Sequence, residues 1–172
     1  MRLDPITITE YDAHWPALFE EQRRPVESAL APWLTHPVEH IGSTAVPGLP
    51  AKPIIDMAAI VTSYESVAEA FPALTAVGWL PAPEPTDRES RRWSWCYPSV
   101  EYRTHHLHVV EHASDGWRTW LAFRDHLRVT PEDRDEYARI KRALAAADDR
   151  DRPAYRAGKA PFITGVLNRL AD

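Results

Sequence analysis

Trp15, Leu18, Phe19, Val26 and Leu30 recur at helical spacing, the pattern of a helix with one buried face, and Pro25 is placed to kink it. Ahead of it, Ile6 to Thr9 alternates like a short strand. Val38 to Gly42 and Pro53 to Val61 read as two strands flanking a loop with Gly42, Ser43, Thr44, Pro47 and Gly48. Glu65 to Val77 predicts a helix strained at Pro72 and stopped by Gly78, and the proline-rich, charged Pro81 to Glu89 predicts a surface loop. Arg91 to Tyr97 and Arg103 to Glu111, rich in aromatic and β-branched residues, predict a hairpin turning at Pro98 to Tyr102. Three helices follow: Trp117 to Arg128, Pro131 to Ala147 with Thr130 as N-cap, and Pro153 to Leu170. Strands followed by a helical last third predict an α+β fold, a mixed or antiparallel sheet covered on one side by helices.

The period of two sorts the strand residues by face. Ile55, Met57, Ala59 and Val61 form the core face, so Asp56 shares the opposite face with Ile54, Ala58 and Ile60. A carboxylate inside an apolar strand needs a partner, either a structural arginine or a functional group. His106 and His108 share a face while Leu107 and Val109 turn to the core, which makes the histidines either a metal pair or polar residues on an uncovered sheet face. His105 and Glu111 have core-side parity, the first structural and the second a weaker candidate. Arg88, Arg91, Arg92 and Arg103 cluster around the hairpin, and their guanidinium forks suit phosphate unless they only solvate it. Trp93 and Trp95 share a face and are assigned to the core. Lys141 and Lys159 follow Tyr137 and Tyr155 by four positions and rank below the sheet residues as phosphate ligands.

Composition narrows the chemistry. The 172 residues, 44% hydrophobic and 26% charged, with a mean hydropathy of −0.42, are those of a globular protein and fit one domain over residues 1–172. A net charge of −5 argues against a polynucleotide partner and leaves a small phosphorylated ligand compatible. Cys96 has no partner for an internal disulfide and is assigned to packing. The N-terminus has no apolar leader segment and no stretch approaches the roughly 18 apolar residues of a membrane span, so a cytoplasmic protein with no membrane partner is expected. Gly42-Ser43 at a strand end leaves N–H groups and a hydroxyl at a turn, which is either a phosphate cradle or a plain tight turn. P-loop, Rossmann, paired CxxC and nucleophile-elbow patterns are absent from the sequence.

The run from His40 to Asp56 (HIGSTAVPGLPAKPIID), RTHHLHVVE from Arg103 to Glu111, FRDHLR from Phe123 to Arg128, and the final Tyr155, Lys159 and Phe162 together resemble the GrpB family, over nearly the whole chain. The resemblance implies the nucleotidyltransferase fold, with Gly42 and Ser43 matching the signature that cradles a nucleotide phosphate and Asp56 matching the first metal-binding carboxylate. The second carboxylate position is Ala58, so replacement ligands would have to come from His106 and His108. The implied activity is nucleotidyl or phosphoryl transfer on ATP or another nucleoside triphosphate, with a divalent metal, Mg²⁺ or Mn²⁺. In this reading Asp56, Arg103, His106 and His108 are catalytic, with the metal on Asp56, His106 and His108. Gly42, Ser43, Thr44, Lys52, Arg91, Arg92 and Lys159 bind the ligand. The alternatives are a phosphate-binding accessory domain without catalysis and a hydrolase or ligase using a histidine-bound metal.

Overall fold

The computed structural model describes residues 5–171; residues 1–4, where the expectation about a leader segment begins, lie outside them. Along the chain run α1 (Trp15–Leu30), β1 (Glu39–Ile41), β2 (Ile55–Val61), α2 (Phe71–Ala76), β3 (Leu80–Pro81), β4 (Arg92–Pro98), β5 (Arg103–Glu111), α3 (Gly116–Val129), α4 (Pro131–Ala147) and α5 (Arg152–Ala171). The strands form one mixed sheet in the order β1-β2-β5-β4-β3, in which only β2 and β5 are parallel. The expected α+β architecture, with its hairpin and helical last third, is present.

The parity of β2 decides which side carries the main core. Ile55, Met57, Ala59 and Val61 join Leu107, Val109 and Trp95 under α1, whose Trp15, Phe19, Val26 and Leu30 face them. The second face is also covered, contrary to the one-sided arrangement expected. Ala58, Ile60 and Val110 are apolar there as well, and Trp117, Trp120 and Leu121 of α3 pack against them. Asp56, His106 and His108 lie at the cleft end of this face, His108 against the cover itself with its ring centroid 5.4 Å from that of Trp120. A third cluster, Val46 and Leu49 with Leu127, Tyr137 and Ala138, ties the loop between β1 and β2 to α3 and α4.

Three local expectations change. Ile6 to Thr9 is no strand: Thr9 forms one bridge with Ala51, while Ile6 N–H donates to Asp149 O at 2.6 Å, so the segment is pinned at two separate places. Pro72 sits in the first turn of α2, after a 3₁₀ turn at Ser66–Ala70, and its fixed φ suits that turn instead of straining a helix interior. Thr130 does occupy the expected N-cap position of α4, without a side-chain bond. Pro81 to Glu89 is not simply a surface loop. Leu80–Pro81 pairs with β4, and buried Asp87 accepts from Glu84 N–H, Arg92 Nε and Ser94 Oγ. The helix α1 continues across Pro25. Among the described residues no helix is long and apolar enough to cross a membrane.

Arg124 fastens α3 to the edge strand. It is buried, and its Nη1 donates to Glu39 Oε2 at 2.6 Å and to His40 O at 2.9 Å. Arg124→Met is expected to lower stability by about 2 kcal/mol, less than a fully buried pair costs because Glu39 is one-third exposed. A urea midpoint equal to that of the wild type would refute the fastening role.

Candidate functional site

The site begins where β1 ends. Ile41 pairs with Asp56 in the antiparallel register, so the next residue must turn directly against that carboxylate. Gly42 does so at φ +72°, and a Cβ there would lie 2.7 Å from Asp56 Oδ2 and 3.1 Å from Asp56 Cβ. Only glycine fits this approach. Ser43 opens a short 3₁₀ turn, and its Oγ accepts from Lys141 Nζ at 2.8 Å. The same ammonium donates to Pro50 O at 2.6 Å, so one lysine clasps both ends of the loop. Thr44 is buried as a brace: its hydroxyl donates to Ile54 O and receives His40 Nε2–H at 2.9 Å.

The parallel pairing of β2 with β5 sets Asp56 opposite His106, whose Nδ1 donates to Asp56 Oδ1 at 3.1 Å. The partner is a histidine and not the structural arginine considered from sequence. Burial works against the carboxylate's charge, but the hydrogen bond and charge of His106, with His108 and Lys159, outweigh it and lower the pKa. His106 Nε2 is buried without a hydrogen-bond partner. One step along the strand, His108 Nδ1 lies 3.4 Å from Ser94 Oγ, whose proton is committed to Asp87. Burial holds His108 well below the ordinary histidine range, so it stays neutral near pH 7.

Over this face lies a cleft of about 520 Å³ between the sheet, the β1–β2 loop, α3 and the two last helices. Its charges are one-sided. Lys52, Arg92, Arg103 and Arg124 line it together with Lys141, Arg152, Arg156 and Lys159, whereas its carboxylates are Asp56 and Glu84. Lys52 and Lys159 approach the Tyr155 ring, with Nζ 4.7 and 4.5 Å from its centroid, and Lys141 Nζ stands 4.9 Å from that of Tyr137. Burial, then the charges of Lys159, Lys52 and Arg142, bring the Lys141 pKa down to about 7. Lys159 is lowered by burial, partly offset by Asp56.

Gly42, Ser43, Thr44, Lys52, Asp56, Arg92, Arg103, His106, His108 and Lys159 therefore line one cleft. Arg91 does not. At φ +48° it turns its guanidinium to Glu111 and to Glu65, the latter at 2.8 Å, and this engagement removes it from the proposed ligand set. Arg92 reaches the cleft already paired with Asp87 at 2.8 Å and Glu84 at 3.4 Å. His105 is structural, with Nε2 on Leu18 O at 3.1 Å. The ranking of Lys141 below the sheet residues reverses. Its signal is its place on the buried stripe of α4 after Tyr137 and Ala138, where a solvated lysine would not fall.

The donor set does not fit a two-metal centre. Among the described residues no group of three or more His, Cys, Asp or Glu is placed to hold an ion. Ala58, at the second carboxylate position, is fully buried in the cluster under α3, and His106 Nδ1 is already committed to Asp56.

A family model described as GrpB protein matches residues 5–169. A UPF0157 protein of Halalkalibacterium halodurans is 38% identical over 165 residues, 95% of this chain and 82% of that one. The crystal structure of the conserved protein GrpB from Enterococcus faecalis is 30% identical, with a TM-score of 0.83 over 96% of this chain and 100% of that chain. At lower likeness stands the Cid1 poly(U) polymerase in its MgGTP-bound form, 13% identical with a TM-score of 0.49 over 78% of this chain and 45% of that one.

Proposed function

The chain belongs to the GrpB family, and we propose that it binds a nucleoside triphosphate, or another small phosphorylated molecule, and transfers a nucleotidyl or phosphoryl group from it. One observation carries this reading: in a chain of net charge −5, eight lysines and arginines meet two carboxylates around a cleft floored by Gly42 and Ser43. Such a cleft concentrates an anion against the field of the whole protein. The turn at Gly42 and Ser43 takes the outer phosphates, and the guanidinium of Arg103, anchored through Nε on Val100 O at 3.0 Å, faces charge developing at the reacting phosphorus. Asp56, held ionised and oriented by His106, is the acceptor for the proton of an attacking hydroxyl.

A second reading, a phosphate-binding domain without catalysis, is favoured by the apolar Ala58 in place of a second carboxylate. The histidine-metal hydrolase loses support from the engagement of His106 with Asp56. Thermal unfolding with each of the four nucleoside triphosphates, in Mg²⁺, Mn²⁺ or chelator, tests the first reading. A ligand at a hundredfold excess over Kd is expected to raise the midpoint by about 5 to 11 °C. Asp56→Asn should keep binding and lose release of the leaving group from the bound triphosphate, nucleoside diphosphate for phosphoryl transfer or pyrophosphate for nucleotidyl transfer. Equal turnover by the variant would remove Asp56 from the mechanism, and the absence of any shift with every phosphorylated ligand would overturn the reading.

A further inference from the structure

We propose that Lys52, Lys141 and Lys159 form a polyphosphate subsite that takes the anion without a divalent cation. The proposal rests on the reading of the cleft as a phosphate site and specifies what neutralises the ligand there. The three lysines come from the β1–β2 loop, α4 and α5, and they converge on two tyrosine rings, Tyr155 between Lys52 and Lys159 and Tyr137 beside Lys141. Lys141 is 2% exposed, yet the oxygens it holds, Ser43 Oγ and Pro50 O, are both neutral. A buried ammonium held only by neutral acceptors is unfavourable until an anion arrives.

Neither cleft carboxylate relieves it by an ion pair, since Asp56 bonds His106 and Glu84 faces Arg92. The geometry also places the charge where a phosphate would be. An anion bound by the hydroxyl of Ser43 is within reach of Lys141, whose Nζ already lies 2.8 Å from that oxygen. A divalent ion in a triphosphate site offsets phosphate charge and is itself held by carboxylates. Here the two carboxylates, Asp56 and Glu84, are each already paired, and three ammonium groups stand in the cleft instead. Burial first, and then the like charges of Lys159, Lys52 and Arg142, lower the Lys141 pKa, in keeping with this placement.

Titration calorimetry of the full chain with tripolyphosphate and, in parallel, ATP separates the alternatives. Each is run with EDTA and with Mg²⁺, on the wild type and on Asp56→Asn, Lys141→Met and Lys159→Gln. Affinity in EDTA is expected to equal or exceed that in Mg²⁺. Asp56→Asn should bind as tightly or more tightly, because it deletes a like charge beside the ligand. Each lysine variant should lose about tenfold or more. Lys159→Gln, on a half-buried residue, keeps the test valid should Lys141→Met fold poorly. Binding confined to Mg²⁺, or abolished in Asp56→Asn, would overturn the metal-free subsite while leaving the phosphate cleft standing. No binding of either ligand in either buffer would remove both.

Discussion

Between pH 7 and pH 9 the wild-type protein, without ligand, is expected to gain about 2 kcal/mol of stability relative to Lys141→Met. The sign follows from where the proton sits. Burial, reinforced by Lys159, Lys52 and Arg142, lowers the folded-state pKa of Lys141 from 10.5 to about 7. Below pH 7 the lysine is charged in both states, and the folded protein carries the full cost of the buried ammonium. Above pH 7 the folded protein has released a proton that the unfolded chain still binds, so stability rises by up to about 1.4 kcal/mol per pH unit until the unfolded lysine titrates. Methionine has a comparable stem and no titration, so its variant lacks this rise. The substitution also leaves Ser43 Oγ and Pro50 O without their donor, at about 1 to 3 kcal/mol for each buried group. That offset is the same at every pH, which is why the informative quantity is the change in the gap. Urea midpoints of both proteins at pH 6, 7, 8 and 9 measure it. Parallel profiles would mean that Lys141 titrates as an ordinary lysine.

Gly42→Ala is expected to lower stability by about 4 kcal/mol and the thermal midpoint by roughly 8 to 16 °C. Two penalties act together. Gly42 has φ +72° and ψ −174°, a region almost closed to residues with a side chain. Its new methyl would also meet Asp56 Oδ2 at 2.7 Å and Asp56 Cβ at 3.1 Å, and the latter sits on a strand paired on both sides. Relief requires moving either the loop or the carboxylate, so the Asp56–His106 bond is strained as well. Gly116→Ala and Gly165→Ala are the controls. Both glycines lie in helices with nothing within 4 Å of the added carbon, and alanine there should be neutral or stabilising by about 0.5 to 1 kcal/mol. A Gly42→Ala midpoint within about 2 °C of the wild type would show that the loop yields easily and that glycine is not required against Asp56.

The legible part of this site was the part carried by local periodicity. The alternation of β2 and β5 put Asp56, His106 and His108 on the faces away from the core, and the structure has them lining one cleft. The same parity contained a signal about the arginines: Arg92 keeps step with Ser94 toward the cleft, while Arg91 keeps step with Trp93 and Trp95, on the side of the main core. The apolar Ala58, Ile60 and Val110 likewise marked the second face for cover by α3. Lys141 was harder to read, because helical spacing identifies the stripe it shares with Tyr137 and Ala138 but not what that stripe packs against.

By itself, then, the sequence determined the elements, the faces and the tight turn at Gly42, all set by interactions among residues a few positions apart. Only the tertiary structure decided the pairing of Asp56 with His106, fifty residues away, and the reach of Lys141 across ninety-eight residues to Ser43. It also decided the diversion of Arg91 to Glu111. Strand register and helix docking are settled by the packing of the whole core, and a one-residue slip in either would exchange every partner in the cleft while leaving each local pattern intact.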